Sequence, residues 1–246
     1  MVEVVNLSKR GRVEGVSFTL ERGALALVGP NGAGKTTVLN LLVGRIKPDA
    51  GSVRVCGHPP RSLEAARRRA YVPQQIAFPL HLRVAEVLVA AQRLLGATDG
   101  DREEAVQRMG LAGRLGDYVG RLSGGFRQRL ALAAGLMGER RLWLLDEPAS
   151  ALDPGGFARL VEWTEEHKAR GGLLIVSAHR PDEVEAFADE ALLLSAGRAR
   201  WRGPVEQLYT YRLPDGRRLE EVLPGVRIVR EPVDVLREVL YEEESA

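Results

Sequence analysis

The segment Gly23–Thr37 reads GALALVGPNGAGKTT. Its first part is a short, uninterrupted apolar run, the pattern of a strand buried on both faces. Next, Gly29-Pro30-Asn31-Gly32-Ala33-Gly34-Lys35-Thr36 fills every position of G-x-x-x-x-G-K-[ST], and a helix is expected from about Lys35 to Val43, stopped by Gly44. That strand–loop–helix context is the one in which such a loop cradles phosphate. Glycines let successive backbone N–H groups converge on the anion, and the helix N-terminus adds its positive end. Lys35 supplies a point charge for β- and γ-phosphates and the Thr36 hydroxyl a ligand for Mg²⁺, with Thr37 completing the phosphate-binding set.

Outward from this loop the chain alternates. VEVVNL and VEGVSFTL precede it as alternating strands, whereas GSVRVCG and RRAYVPQQ follow it, the latter ending at Pro73. From about Ile76 to Arg121 the character turns helical, with helices expected over 84–95 and 101–111 and a break at Gly96–Gly100. RLWLLDEP then reads as a buried strand, PGGFARLVEWTEEHKAR as a helix, GLLIVSAH as a strand, PDEVEAFAD as a helix and EALLLSAGRARWRG as a strand pair. Strand–helix alternation of this kind predicts an α/β fold with a largely parallel sheet and an inserted helical subdomain.

Composition narrows the class. At 246 residues, with 45% hydrophobic and 28% charged residues, the chain suits one large α/β domain. A formal net charge of +2 gives no reason to expect nucleic acid as a partner. No apolar run reaches the roughly 18 residues a membrane span needs. The N-terminal MVEVVNLSKR lacks the basic start and apolar core of a signal peptide, so a cytoplasmic location is expected. The single Cys56 excludes an internal disulfide and reads as a small strand residue.

Two further constellations carry chemistry. Asp146 and Glu147 end the apolar strand LWLLDEP at the sheet edge where α/β ligands bind. There Asp146 suits Mg²⁺, directly or through water, and Glu147 can polarise an attacking water. The second is Leu122–Arg129, LSGGFRQR, which opens a helix with Ser-Gly-Gly despite the cost of glycine in helices. The first N–H groups of a helix lack internal partners and carry about half a positive charge. Ser123 can cap them, while Gly124 and Gly125 leave the backbone bare for close approach of a phosphate.

LSGGFRQR resembles the signature sequence of the ATP-binding cassette (ABC) ATPases, and the order of motifs is similar to that family over about residues 1–205. The resemblance implies a P-loop NTPase fold of ABC type: a mixed sheet, antiparallel strands at the N-terminus and a helical subdomain inserted at about 76–122. A small α+β tail is expected over 206–246, with a hairpin through Pro214-Asp215-Gly216 and a closing helix at 230–240. It also implies ATP and Mg²⁺ as cofactors and an ATPase activity. Gln74 in YVPQQ matches the family's Q-loop glutamine, expected to touch Mg²⁺, with Gln75 as the other register. Asp153, in Ser150-Ala151-Leu152-Asp153, matches the D-loop, and His179 in VSAHR the switch histidine. His58, His81 and His167 have no motif context and read as structural or exposed.

In the family, the signature closes over the γ-phosphate held by another subunit. A dimer follows, either of identical chains or with a related ATPase, in which Ser123–Gly125 of one chain face Lys35 of the other. Transport then needs separate membrane permease subunits, docked near IAFPLHL (76–82), where Phe78, Leu80 and Leu82 either form an apolar groove or fill the insertion's own core. That places the chain at the inner face of the membrane. LSKRGRVEGV (7–16) departs from the family by lacking the aromatic that stacks on adenine, a role left to Arg10 or Arg12. The C-terminal half resembles ATPases serving ABC-2-type exporters. The alternatives are an importer ATPase for a metal chelate or cofactor, and a soluble ABC scaffold for cofactor assembly.

Overall fold

A computed structural model describes residues 1–208. The expected hairpin and closing helix of the C-terminal tail lie outside the described residues. Nine strands and seven α-helices are seen among the described residues, in two sheets. Strands β1 (Val2–Lys9), β2 (Val13–Leu20) and β4 (Ala50–Val55) form an antiparallel sheet of their own, in the order β2-β1-β4. The second sheet runs β5-β6-β7-β3-β8-β9, formed by β3 (Gly23–Val28), β5 (Arg69–Val72), β6 (Leu142–Asp146), β7 (Leu173–Ala178), β8 (Glu190–Ser195) and β9 (Arg198–Pro204). Its strands are parallel except β9, which pairs antiparallel with β8.

Strand β3 explains why both layers hold together. Ala24, Ala26 and Val28 face one core cluster, and Leu25 and Leu27 the other. Small side chains therefore meet the helices on one face while leucines meet the antiparallel sheet and α1 (Lys35–Val43) on the other. β6 and β7 divide in the same way, Trp143 and Leu145 against Leu142 and Leu144, Leu174 and Val176 against Leu173 and Ile175. A continuous apolar run thus serves two faces with period 2. α1 has the expected bounds and ends on Gly44 at φ 78°, the left-handed turn glycine provides.

The inserted segment contributes α3 (Val84–Leu95) and α4 (Asp99–Arg108), which pack with α5 (Gly124–Leu136) on the small-residue face of the sheet. α4 begins earlier than expected because Thr98 and Asp101 cap each other's backbone amides, at 2.7 and 3.1 Å. That puts Gly100 inside the first turn of α4 and leaves Gly96 as the stop of α3. Of the three apolar residues proposed for a groove, Phe78 and Leu82 pack against the core and Leu80 stays exposed. α2 (Leu63–Arg68) was not foreseen; Ser62 Oγ accepts from the Ala65 amide and starts it. Cys56 lies just past β4 in a turn at φ 50°, so it is a turn residue and not the strand residue expected. α6 (Pro154–Ala169) and α7 (Pro181–Phe187) cover the same face as α5. No helix among the described residues is long and apolar enough to cross a membrane.

Candidate functional site

The phosphate loop connects β3 to α1, and its conformation depends on glycine. Gly34 sits at φ 107°, and a β-carbon there would meet the Arg12 carbonyl and the Val13 side chain at 3.0 and 3.1 Å. Gly29, at φ 148°, faces the Leu194 carbonyl with no room for a side chain. Between them, Ala33 N donates to Pro30 O at 3.1 Å, and Gly197 N to Ala33 O at 3.2 Å. The loop is therefore clamped against the turns of both sheets. Lys35 is buried, its ammonium donating to the carbonyls of Gly29 (2.6 Å) and Pro30 (3.1 Å). Burial pulls its pKa down, opposed by the charges of Glu147 and Asp146.

Asp146, at the C-terminal end of β6, is 1% exposed and accepts from Thr36 Oγ1 at 3.2 Å and Ser177 Oγ at 2.6 Å. Two hard oxygen donors, Thr36 Oγ1 and Asp146 Oδ1, thus converge beside the phosphate loop, a set that fits Mg²⁺ better than a soft metal. Glu147 adopts φ 46°, an uncommon conformation for a residue with a β-carbon and one that costs on the order of 1–3 kcal/mol. Ser177 holds it there, since the Glu147 amide donates to Ser177 Oγ at 2.9 Å. The parallel register that sets Asp146 opposite Ser177 makes this bridge possible.

Two predicted residues meet the carboxylate of a third, Glu147. Gln74 Nε2 donates to Glu147 Oε2 at 2.7 Å, and His179 Nδ1 stands 3.8 Å from the same oxygen. Gln74 comes from the loop after β5 and His179 from the end of β7, the strands on either side of β6. Of the two possible registers, it is Gln74 that reaches the site.

The signature helix α5 opens as anticipated, with Ser123 Oγ accepting from Phe126 N at 3.3 Å. Its glycines have different surroundings. A β-carbon on Gly124 would meet nothing within 4 Å, whereas one on Gly125 would meet the Ala151 carbonyl at 3.2 Å. Gly125 is bare because a loop of its own chain packs there, and only Gly124 lies open. The same loop is tied to α5 by Gln128 Nε2 donating to Pro148 O at 2.9 Å and by an ion pair between Arg129 and Asp153. Asp153 also caps α6 through the Gly156 amide at 3.0 Å, so its carboxylate is engaged within the chain, and the Arg129 contact holds its pKa down. Sequence reading missed Ser177, Gln128 and Arg129; the serine in an otherwise apolar β7 is the one local signal for any of them.

A cleft of about 630 Å³ opens beside Gly32, lined by Arg10, Gly11, Arg12, Val13 and Ala196 among others. Elsewhere His167 has the structural role expected of it, stacked 4.0 Å from Trp143 with burial lowering its pKa.

A family profile described as ABC transporter matches residues 13–150. The chain belongs to that family. It is similar to the Nod factor export ATP-binding protein I of Burkholderia lata, 35% identical over 76% of this chain and 64% of that one. It is also similar to the hemin import ATP-binding protein HmuV of Rhizobium meliloti, 35% identical over 84% and 85% of the two chains. A solved structure titled as the ATP binding subunit of an ABC transporter superposes with a TM-score of 0.78 at 27% identity, covering 85% of this chain and 92% of that one. This ABC subunit is accordingly an ATPase with the α/β fold expected of it.

Proposed function

We propose that this ABC ATPase binds ATP with Mg²⁺ on the Gly29–Thr37 loop and hydrolyses it in a composite site completed by Ser123 and Gly124 of a second subunit. The second subunit is another copy or a related ATPase. The observation that carries the reading is the convergence of Gln74 and His179 on the Glu147 carboxylate, next to Asp146 and Thr36. Lys35 exchanges its carbonyl partners for phosphate oxygens, and the loop amides and α1 N-terminus bind the rest of the anion. Glu147 accepts a proton from the water that attacks the γ-phosphorus in line, and the bond to the bridging oxygen breaks to release ADP and phosphate. Gln74 orients that carboxylate, and His179 stabilises charge on the transferred group from the other side. Thr36, Asp146 and Gln74 would hold Mg²⁺, which when bound neutralises charge on the β- and γ-phosphate oxygens.

Closure of the two subunits on ATP would drive export through separate permease subunits, with the chain at the inner membrane face. The likeness of the C-terminal half to ABC-2-type exporter ATPases and the similarity to a Nod factor export protein support this direction. Import is the second reading, favoured by an equal identity to a hemin import protein over most of its length. Co-purification with the membrane protein of the neighbouring reading frame, followed by reconstitution in vesicles, tests both. ATP-dependent movement of substrate away from the ATPase face supports export; movement toward it sinks export. A neighbouring frame without apolar spans, and no membrane partner recovered, would favour the scaffold reading.

A further inference from the structure

Four residues after His179, at the switch position, stands a buried acid. Glu183, in the first turn of α7, is 1% exposed, and neither of its carboxylate oxygens has a hydrogen bond among the described residues. A carboxyl so placed is costly unless paired. Its nearest cation is Arg180, whose Nε lies 3.1 Å from Oε1 while its Nη2 donates to Asp182 at 2.8 Å. The pairing is therefore shared with an exposed competitor.

The surroundings tie Glu183 to the reaction site. Burial pushes its pKa up; the Arg180 guanidinium and the His179 backbone N–H pull it down, and the charges of Asp182 and Glu147 push it further up, to about 7. From the other elements packed on α7, Lys168 of α6 is directed to the far end, at Phe187 O and Asp189, and Glu206 beyond β9 is exposed. The chain from His179 to Glu183 turns β7 into α7 within four residues, so whatever fixes Glu183 fixes the backbone that presents the histidine ring.

We propose that Glu183 is a positioning residue for ATP hydrolysis: its buried carboxylate, paired with Arg180, fixes the corner that sets the His179 ring beside Glu147. Glu183 touches neither substrate nor water and acts through His179, so the inference rests on the assignment of His179 and Glu147 to the hydrolytic site. The ionised form pairs with the Arg180 guanidinium 3.1 Å away; protonation ends that pairing. kcat therefore rises with pH through about 7 while KM for ATP stays constant.

The test is the pH profile of kcat and KM for wild type, Glu183→Gln and Arg180→Gln. Glu183→Gln imitates the protonated form and holds kcat at its low-pH level throughout, a loss on the order of ten- to a hundredfold at pH 8, with KM unchanged. Arg180→Gln removes the cation that favours ionisation and moves the inflection to higher pH. This second variant keeps the question answerable if the first does not fold. A purely structural role would lower kcat by one factor at every pH. That result, an inflection unmoved by either substitution, or a wild-type profile without one, overturns the proposal. His179→Ala separates the two levels: undiminished turnover there removes the site assignment itself, whereas lost turnover beside an unchanged Glu183→Gln profile removes only Glu183.

Discussion

The Gln74 side-chain amide and Glu147 are joined by a 2.7 Å hydrogen bond that crosses from the loop after β5 to the end of β6. This contact orients the Glu147 carboxylate from one side, with His179 on the other at 3.8 Å. Replacing Glu147 with Gln keeps the volume and a partner for Gln74 but removes the proton acceptor. Glu147→Gln should bind ATP with near wild-type affinity and lose turnover by at least 10²–10³-fold, the scale of losing one preorganised group. Closed dimers should accumulate with ATP in size-exclusion chromatography. Near-normal turnover would remove Glu147 from the role of base.

Ser177 supports the site from beneath, bonding both Asp146 Oδ1 and the Glu147 amide. Ser177→Ala leaves a buried carboxylate oxygen with one partner fewer and leaves the Glu147 amide, in its costly conformation, only the residue 177 carbonyl at 3.2 Å. We expect about 1–3 kcal/mol of lost stability by urea denaturation, together with a fall in kcat larger than any rise in KM for ATP. A fall in stability with kcat intact would confine Ser177 to a structural role.

Much of this site was legible because its chemistry is written in contiguous residues. Gly29–Thr37, Asp146 with Glu147, and Ser123–Gly125 each combine an element boundary with residue types that boundary does not need for packing. The halves of the sheet were legible for a related reason: GALALV and, but for Ser177, LLIVSA are runs without alternating polar residues, as burial on both faces requires. What stayed hidden is contact across the chain. Nothing local to Gly125 predicts the Ala151 carbonyl, and nothing local to Asp153 predicts Arg129. Glu183 looks like an ordinary exposed acid of a helix first turn, and its burial follows from how α7 lies on the sheet.

Glu183 also makes stability depend on pH. Its pKa rises from 4.5 in the unfolded chain to about 7 in the fold. The fold therefore favours the protonated form: the contribution is fully present below the unfolded value and is lost as pH climbs through the folded one. The difference is on the order of 3 kcal/mol. Glu183→Gln, neutral at every pH, should raise Tm relative to wild type at pH 8 and match it at pH 4.5. An equal Tm difference at both pH values would mean that Glu183 does not titrate between them.

The cleft beside Gly32 is lined by Arg10 and Arg12, the residues expected to take over base stacking, and no aromatic residue lines it. A guanidinium plane can stack on a base but favours no particular one. Arg12→Ala should weaken ATP binding several-fold while leaving inorganic triphosphate binding unchanged, and wild type should discriminate weakly between ATP and GTP. Competition titrations with a fluorescent nucleotide measure all three. Undiminished ATP affinity in Arg12→Ala combined with Arg10→Ala would assign base recognition elsewhere.

The two signature glycines can be separated by experiment because only one faces open space. Gly124→Ala adds a methyl group that meets no neighbour and improves helix propensity, so the variant should be at least as stable as wild type. If a partner's phosphate packs on that backbone, its turnover should nonetheless fall. Gly125→Ala presses on the Ala151 carbonyl at 3.2 Å and should be less stable than Gly124→Ala in the same melt. Ser123→Asp completes the series: aspartate caps a helix as well as serine does, so the fold and ATP binding by the monomer should survive. Its negative charge would repel a γ-phosphate brought by the second subunit, and hydrolysis should be lost. Loss of ATP binding by the Ser123→Asp monomer would mean that Ser123 serves its own nucleotide and that the site is not shared between subunits.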